Sequence, residues 1–168
     1  PDYGVREVAE HAVAMALTLV RQLPSLDRRL RAGTWKITPD RPMPGLHEST
    51  FGTAGFGRIA RKAHEMMGGF GCKRIAFDPY VAAEEMAEAG VEKVEREEIF
   101  TRSDILSLHL SLTPETWHFV NTADLAQMKK NAVVVNTAVG ALVDTRALAV
   151  ALSNGVIAGA GLDVFVLE

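Results

Sequence analysis

The chain has 168 residues, of which 48% are hydrophobic and 23% charged, with a formal net charge of −3. This length and apolar content predict one globular domain with a sizeable core. The balanced charge gives no electrostatic footprint for nucleic acid or an anionic membrane surface, and no apolar run is long enough to span a bilayer. We therefore expect no nucleic-acid or membrane partner.

The N-terminal segment predicts two helices and a connector. Apolar residues recur at helical spacing over residues 5–21, which predicts a long amphipathic helix. Its small and aliphatic face would pack either on the domain or on a second subunit. Residues 23–35 predict a shorter helix with Trp35 as a packing anchor, and the proline-rich residues 38–44 predict a loop.

Residues 50–78 carry the most informative pattern in the chain. They predict a strand, a glycine turn, a helix and a second strand that ends in an acid. The turn reads G-x-G-x-x-A from Gly55 through Gly57 to Ala60, and Asp78 lies 21 positions after Gly57. This spacing, in this order of elements, is the dinucleotide-binding fingerprint. It predicts that the chain binds NAD.

Each position of the fingerprint has a physical reason. Gly55 permits the tight turn out of the strand, and Gly57, which has no Cβ, lets a pyrophosphate approach the backbone. The amides of Arg58 and Ile59 lie in the first helical turn, where unpaired N–H groups and the helix dipole favour phosphate. Asp78 can accept hydrogen bonds from a ribose 2′-hydroxyl and would repel a 2′-phosphate, which favours NAD over NADP. The alternative is an ordinary glycine-rich turn followed by a solvated aspartate.

Helices and strands alternate along the rest of the chain. We predict helices over residues 81–89, 95–100, 123–129 and 145–152, and strands over residues 105–110, 132–135 and 156–164. Asn121 or Thr122 would cap the third of these helices. The alternation predicts an α/β fold of the Rossmann type, with a doubly wound parallel sheet, helices on both faces and three α/β/α layers.

The histidines and the cysteine outside these patterns are expected to have structural roles. His11 would make a structural hydrogen bond. Cys72, which has no second cysteine to pair with, would be a buried and inert thiol in a reducing, cytoplasmic environment. His47, His64 and His118 have no metal-ligand spacing and are expected at the surface. No metal site is predicted.

The motifs after residue 100 resemble one family. They are Ser107-Leu108-His109, Leu112 to Thr116, Val135 to Ala138, Gly140 to Asp144 and Gly159 to Phe165. With Val8 to His11 near the start and the fingerprint between, they make nearly the whole chain similar to the cofactor domain of the D-isomer-specific 2-hydroxyacid dehydrogenases. That group includes phosphoglycerate, glycerate/glyoxylate and D-lactate dehydrogenases.

The resemblance implies hydride transfer between NAD(H) and a small 2-hydroxy or 2-keto acid, in a protein that usually forms a homodimer. It also implies that Asp163 lies near the nicotinamide carboxamide and Ala138 beside the nicotinamide ribose. Leu110 and Thr116 would line the adenosine side. His109 would lie beside the cofactor, or equally well be a packed, neutral imidazole.

The same resemblance shows a departure at the catalytic centre. The family grips the substrate carboxylate with an arginine in an N-T-A-R-G motif, and here Val139 occupies the arginine position. Valine cannot make two charge-assisted hydrogen bonds to a carboxylate. Their loss is expected to cost about 3–6 kcal/mol, or about 10²- to 10⁴-fold in rate. Glu168 matches the glutamate that holds the catalytic histidine, and the resemblance implies that this histidine lies beyond residue 168.

The sequence leaves more than one function open. Residues 1–168 are expected to be an NAD-binding domain cut from a longer dehydrogenase, with Leu167-Glu168 either native or a cloning remnant. Alternatively, the chain is an NAD-binding dimerisation or regulatory module without catalysis. A Rossmann enzyme that uses S-adenosylmethionine or a flavin is a third possibility on fold alone.

Overall fold

The computed structural model of the chain describes residues 4–35 and 38–166. The helices are α1 (Val5–Val20), α2 (Leu23–Arg31), α3 (Arg58–Gly68), α4 (Ala83–Glu88), α5 (Arg96–Arg102), α6 (Thr122–Gln127) and α7 (Thr145–Ser153). The strands are β1 (Thr50–Ala54), β2 (Lys73–Phe77), β3 (Glu92–Lys93), β4 (Ile105–Leu108), β5 (Val133–Asn136) and β6 (Gly159–Leu162). Short 3₁₀ turns at Leu46–Glu48 and Gly140–Leu142 precede β1 and follow β5. Glu168, which was assigned to catalysis, lies outside the described residues.

The strands form a parallel sheet in the order β3-β2-β1-β4-β5-β6. The winding reverses between β1 and β4, which is the doubly wound Rossmann arrangement. The register aligns the carboxyl ends of five strands, at Phe77, Ala54, Leu108, Asn136 and Leu162. The loops that follow these residues therefore lie side by side at one edge of the sheet, where ligands bind in folds of this kind.

Both faces of the sheet are covered. α1 and α3 pack on one face, where Val133 and Val135 of β5 join their buried cluster. α5, α6 and α7 pack on the other face, where Val134 joins a second cluster. Because neighbouring strand residues point to opposite faces, β5 is buried on both sides, which accounts for its uninterrupted run of valines. The predicted three-layer α/β/α fold is confirmed.

The ends of the predicted elements shift by a few residues. β4 ends two residues earlier than predicted, because the chain leaves the sheet after the N–H of His109 donates to the carbonyl of Ala54 at 2.8 Å. β6 begins three residues later, because the N–H of Val156 still donates to the carbonyl of Ala151 in α7. Asn121 caps α6, as predicted, by accepting from two backbone amides. β3 was not predicted, since two residues are too short to show an apolar pattern.

Two side chains lie where the sequence did not predict them. Trp35 is 83% exposed and therefore does not anchor the packing of this chain. His64 was expected at the surface but is 1% exposed, because its position on α3 faces the sheet. Its ring contacts those of Phe51 and Phe56 at centroid distances of 5.0 and 5.6 Å, and its Nε2 lies 2.9 Å from Oγ1 of Thr53.

Candidate cofactor-binding site

The turn between β1 and α3 places two glycines in different environments. Gly55 has a φ of +96°, and a Cβ at this position would lie 2.7 Å from the carbonyl oxygen of His109. Gly57 has an ordinary φ of −76°, and nothing described lies within 4 Å of where its Cβ would be. The first glycine is therefore required by the fold itself. The second leaves the backbone open on its outer side.

The N-terminus of α3 faces the same opening. Gly57 is the N-cap residue, and no side chain among the described residues caps the helix. The first amides of a helix have no partner within it, so those of Arg58 and Ile59 are directed towards an incoming anion. Arg58 is exposed, whereas the side chain of Ile59 packs on the α1–α3 cluster.

Asp78 connects the loops that follow β1 and β2. Its Oδ2 accepts a hydrogen bond from the backbone N–H of Phe56 at 2.8 Å, and its Oδ1 accepts one from that of Tyr80 at 2.9 Å. The carboxylate is thereby held in one orientation while remaining partly exposed. A carboxylate has about four acceptor positions, so this one can also receive hydroxyl groups from a ligand.

A cavity of about 350 Å³ opens between the loops after β2, β1 and β4. It brings together six of the predicted cofactor residues: Gly55, Gly57, Asp78, His109, Leu110 and Thr116. Arg58, Ile59, Ala138 and Asp163 lie outside its lining. The last two follow β5 and β6, farther along the same edge of the sheet.

His109 lines this cavity and is also hydrogen-bonded to the fold. Its Nε2 lies 2.9 Å from Oγ of Ser107, which is buried in β4. Burial lowers the pKa of His109 to about 4, so the imidazole is neutral at pH 7. The imidazole therefore forms an uncharged part of the cavity wall. It is also packed into the fold through its contact with Ser107.

The loop after β4 is stabilised by its own threonines. Oγ1 of Thr116 donates to the carbonyl of Ser111 at 2.7 Å and accepts from the N–H of Thr113 at 2.7 Å. These bonds close the loop into a compact turn. They hold this loop in place as the far wall of the cavity.

The segment after β5 is fixed by Asn136. Its Oδ1 accepts from the N–H of Ala138 at 3.0 Å, and its Nδ2 donates to the carbonyl of Val139 at 2.8 Å. The side chain of Val139 packs against the larger hydrophobic cluster. Beyond β6, Oδ1 of Asp163 lies 3.3 Å from Nε2 of His11. The expected structural contact of His11 is therefore with the carboxylate of a predicted cofactor residue.

Arg96 lines the cavity, and the sequence did not single it out. Its partners, Asp124 and Phe119, lie 28 and 23 residues away along the chain. A charged residue at the start of a short helix resembles any solvated side chain, so no local signal identifies it.

Within the described residues, no cluster of three or more histidine, cysteine or acidic side chains could hold a metal, and no helix is long and apolar enough to cross a membrane.

The sheet order and the glycine turn define a dinucleotide-binding Rossmann domain. The family model for the NAD-binding domain of D-isomer specific 2-hydroxyacid dehydrogenases matches residues 13–168. The chain belongs to this family, and NAD is its cofactor. The resemblance noted in the sequence is thus confirmed.

Curated relatives and solved structures agree with this assignment. D-3-phosphoglycerate dehydrogenase of Mycobacterium tuberculosis is 38% identical over 100% of this chain, which covers 32% of that protein. D-lactate dehydrogenase of Escherichia coli is 38% identical over 98% of this chain and 50% of its own length. The structure of D-lactate dehydrogenase from Aquifex aeolicus with NAD and lactic acid is 36% identical, with a TM-score of 0.92 over 99% of this chain and 50% of that one. The chain therefore spans a third to a half of the length of these relatives.

Proposed function

We propose that this chain is the cofactor half of an oxidoreductase that transfers hydride between NAD(H) and a small 2-hydroxy or 2-keto acid. Residues 1–168 then form one NAD-binding domain of a longer protein. The observation that supports this most directly is the meeting of Gly57, the uncapped start of α3 and Asp78 at one cavity. Bound NAD(H) would supply or accept the hydride.

Different residues bind different parts of the cofactor. The carboxylate of Asp78, held by two backbone amides, accepts hydrogen bonds from the adenosine ribose. The open backbone at Gly57 and the amides of Arg58 and Ile59 bind the pyrophosphate. From there the nicotinamide extends towards β5 and β6, and the adenosine lies in the cavity between the loops after β2 and β4.

The remaining predicted residues line the two ends of this path. Leu110 and Thr116 contact the adenosine half, and His109 forms a neutral wall between the halves. Ala138 lies beside the nicotinamide ribose, and Asp163 accepts a hydrogen bond from the carboxamide. The pair between Asp163 and His11 orients that carboxylate.

The catalytic centre is incomplete in this chain. Val139, a partly buried side chain packed against the larger hydrophobic cluster, occupies the position where the family places the arginine that binds the substrate carboxylate. Glu168 would hold a histidine that the resemblance places beyond residue 168. We therefore expect no measurable reduction of glyoxylate, hydroxypyruvate or pyruvate by this chain with NADH.

A second candidate function is an NAD-binding dimerisation or regulatory module without catalysis, and the apolar residue at position 139 favours it. In both cases we propose a homodimer, supported by the exposed side chains of Leu23, Leu30 and Trp35 around α2. A cytoplasmic location remains part of the proposal, since the single cysteine, Cys72, is buried and cannot pair within the chain.

Titration with NADH tests the cofactor roles, read as energy transfer from Trp35 and Trp117. We expect saturable binding that NADPH competes with poorly. Asp78→Ala should weaken NADH binding by about tenfold or more, because it removes charge-assisted hydrogen bonds. Asp27→Ala, at an exposed aspartate of α2, is the matched control. A folded chain without saturable NADH binding would contradict the proposal.

Val139→Arg in the full-length protein separates the two candidate functions. If the missing arginine is the defect, this variant should raise the rate of keto-acid reduction by about 10²- to 10⁴-fold. A full-length variant that binds NADH and stays inactive would support the module without catalysis. High activity of the unchanged full-length protein would show that Val139 does not impair the reaction.

A further inference from the structure

The guanidinium of Arg96 is held in a fixed plane. Its Nη1 and Nη2 each lie 2.9 Å from a carboxylate oxygen of Asp124, and Nη2 also donates to the carbonyl of Phe119 at 2.9 Å. The side chain of Asp124 is only 3% exposed. A bidentate pair of this geometry fixes the orientation of the planar guanidinium as well as its position.

An aromatic stack lies beneath this plane. The Cζ atom of Arg96 is 4.9 Å from the ring centroid of Phe119 and 5.2 Å from that of Phe100, both within the range of a cation–π contact. The ring of Phe119 in turn stacks on that of Phe77, with centroids 5.9 Å apart. Arg96, Phe77 and Phe119 all line the cofactor cavity. The guanidinium and the two rings therefore form one continuous wall of the cavity.

The position of this wall identifies the part of the cofactor that meets it. Asp78 anchors the adenosine ribose under the proposed function, and the cavity extends from it between the loops after β2 and β4. Ala138 and Asp163, on the nicotinamide path, lie outside this cavity. The group beyond the ribose is thus the adenine, a flat and uncharged base that stacks favourably on guanidinium planes.

We propose that Arg96 binds the adenine base of the dinucleotide, with its guanidinium as a flat cationic wall on which the base stacks. This inference rests on the proposed function, because it requires the dinucleotide to lie along the path given above. Asp124 acts as the positioning residue, since it sets the plane of the guanidinium. The arginine thereby contributes affinity for the adenosine half alone.

A purely structural role is the competing explanation. The Arg96–Asp124 pair joins α5 to α6, and removal of the arginine would leave a buried carboxylate unpaired, which is strongly destabilising. The test variant must therefore remove the planar guanidinium of Arg96 while keeping a positive charge at this position. Lysine keeps the charge opposite Asp124 and lacks the plane.

Arg96→Lys is the test variant, and Arg102→Lys on the same helix is its matched control. Arg102 pairs with Glu92 and Glu98 and does not line the cavity. Dissociation constants are measured for NADH and for reduced nicotinamide mononucleotide, which lacks the adenosine half, together with the melting temperature. We expect Arg96→Lys to weaken NADH binding by about tenfold and to leave mononucleotide binding unchanged. The Arg102→Lys control should bind both ligands as the unchanged chain does.

Other outcomes of these measurements would contradict either the role of Arg96 or the proposed function. Unchanged NADH affinity in Arg96→Lys, or an equal loss for both ligands, would overturn the role of Arg96. An unchanged chain that binds neither ligand would instead contradict the proposed function. If Arg96→Lys does not fold, the double variant Arg96→Met/Asp124→Asn removes the pair without a buried charge, and the same loss confined to NADH is expected.

Discussion

At the scale of single residues, the buried imidazole of His64 is an unusual feature. Burial is the main reason why the pKa of His64 falls to about 3. The positive charge of Arg74 and the proximity of His109 lower this pKa further. The ring is neutral at pH 7, and its Nε2 contacts Thr53. Since Nδ1 has no hydrogen-bond partner among the described residues, protonation would place a charge where little compensates it.

His64 should make the stability of the domain depend on pH. In the unfolded chain a histidine titrates near pH 6.5, so the unfolded state binds more protons between that pH and about 3, and the free energy of unfolding falls as the pH drops. The contribution of this one group has a slope of up to about 1.4 kcal/mol per pH unit. His64→Gln should therefore give a shallower decline between about pH 6 and about pH 4.5 in urea unfolding.

Thr53→Val is the control for this measurement. It removes the hydrogen bond to His64 and keeps the imidazole, so it should lower the free energy of unfolding by about 1 kcal/mol at pH 7 while the decline towards acid persists. A pH slope in His64→Gln as steep as that of the unchanged chain would show that another group is responsible.

At the scale of elements, the turn from β1 into α3 combines a requirement of the fold with a requirement of the ligand. Gly55 combines a left-handed backbone conformation with close approach of the His109 carbonyl. Gly57 has neither constraint, and its backbone faces open space at the start of the helix. The same sequence motif therefore contains one glycine needed for folding and one needed for binding.

Two alanine substitutions should separate these requirements. Gly55→Ala should lower the free energy of unfolding by about 1–3 kcal/mol, through the strain of a positive φ and the contact with His109. Gly57→Ala should keep a melting temperature close to that of the unchanged chain and weaken NADH binding, because the methyl group would occupy the space of the pyrophosphate. Thermal denaturation and NADH titration of both variants check this. Equal NADH affinity in Gly57→Ala and the unchanged chain would exclude a pyrophosphate at this point.

At the scale of the whole molecule, the two N-terminal helices differ in how they are covered. The small side chains of α1, among them Ala9, Ala12 and Ala16, are buried against α3 and the sheet. This face therefore packs within the chain, which was one of the two alternatives. The exposed apolar side chains lie instead around α2, where Leu30 is 50% and Trp35 is 83% exposed.

The proposed homodimer should depend on this surface around α2. Trp35→Ser removes its most exposed apolar side chain and should shift the chain from dimer to monomer in sedimentation equilibrium, because large aromatic anchors dominate the energy of interfaces. Trp117→Ser, at an exposed tryptophan in a different part of the chain, should leave the dimer intact. A monomeric unchanged chain, or a dimeric Trp35→Ser variant, would contradict this interface.

By itself the sequence determined the fold class, the family and the glycine turn, because periodicity and the spacing from Gly55 to Asp78 are local properties of the chain. The sequence also showed, within a single motif, that Val139 replaces the arginine of the family. Only the tertiary structure decided which side chains meet. The burial of His64 depends on which face of α3 meets the sheet. The exposure of Trp35 depends on whether another segment covers α2. The place of Arg96 in the cavity depends on Asp124, 28 residues later, because contacts between distant segments leave no periodic trace in either one.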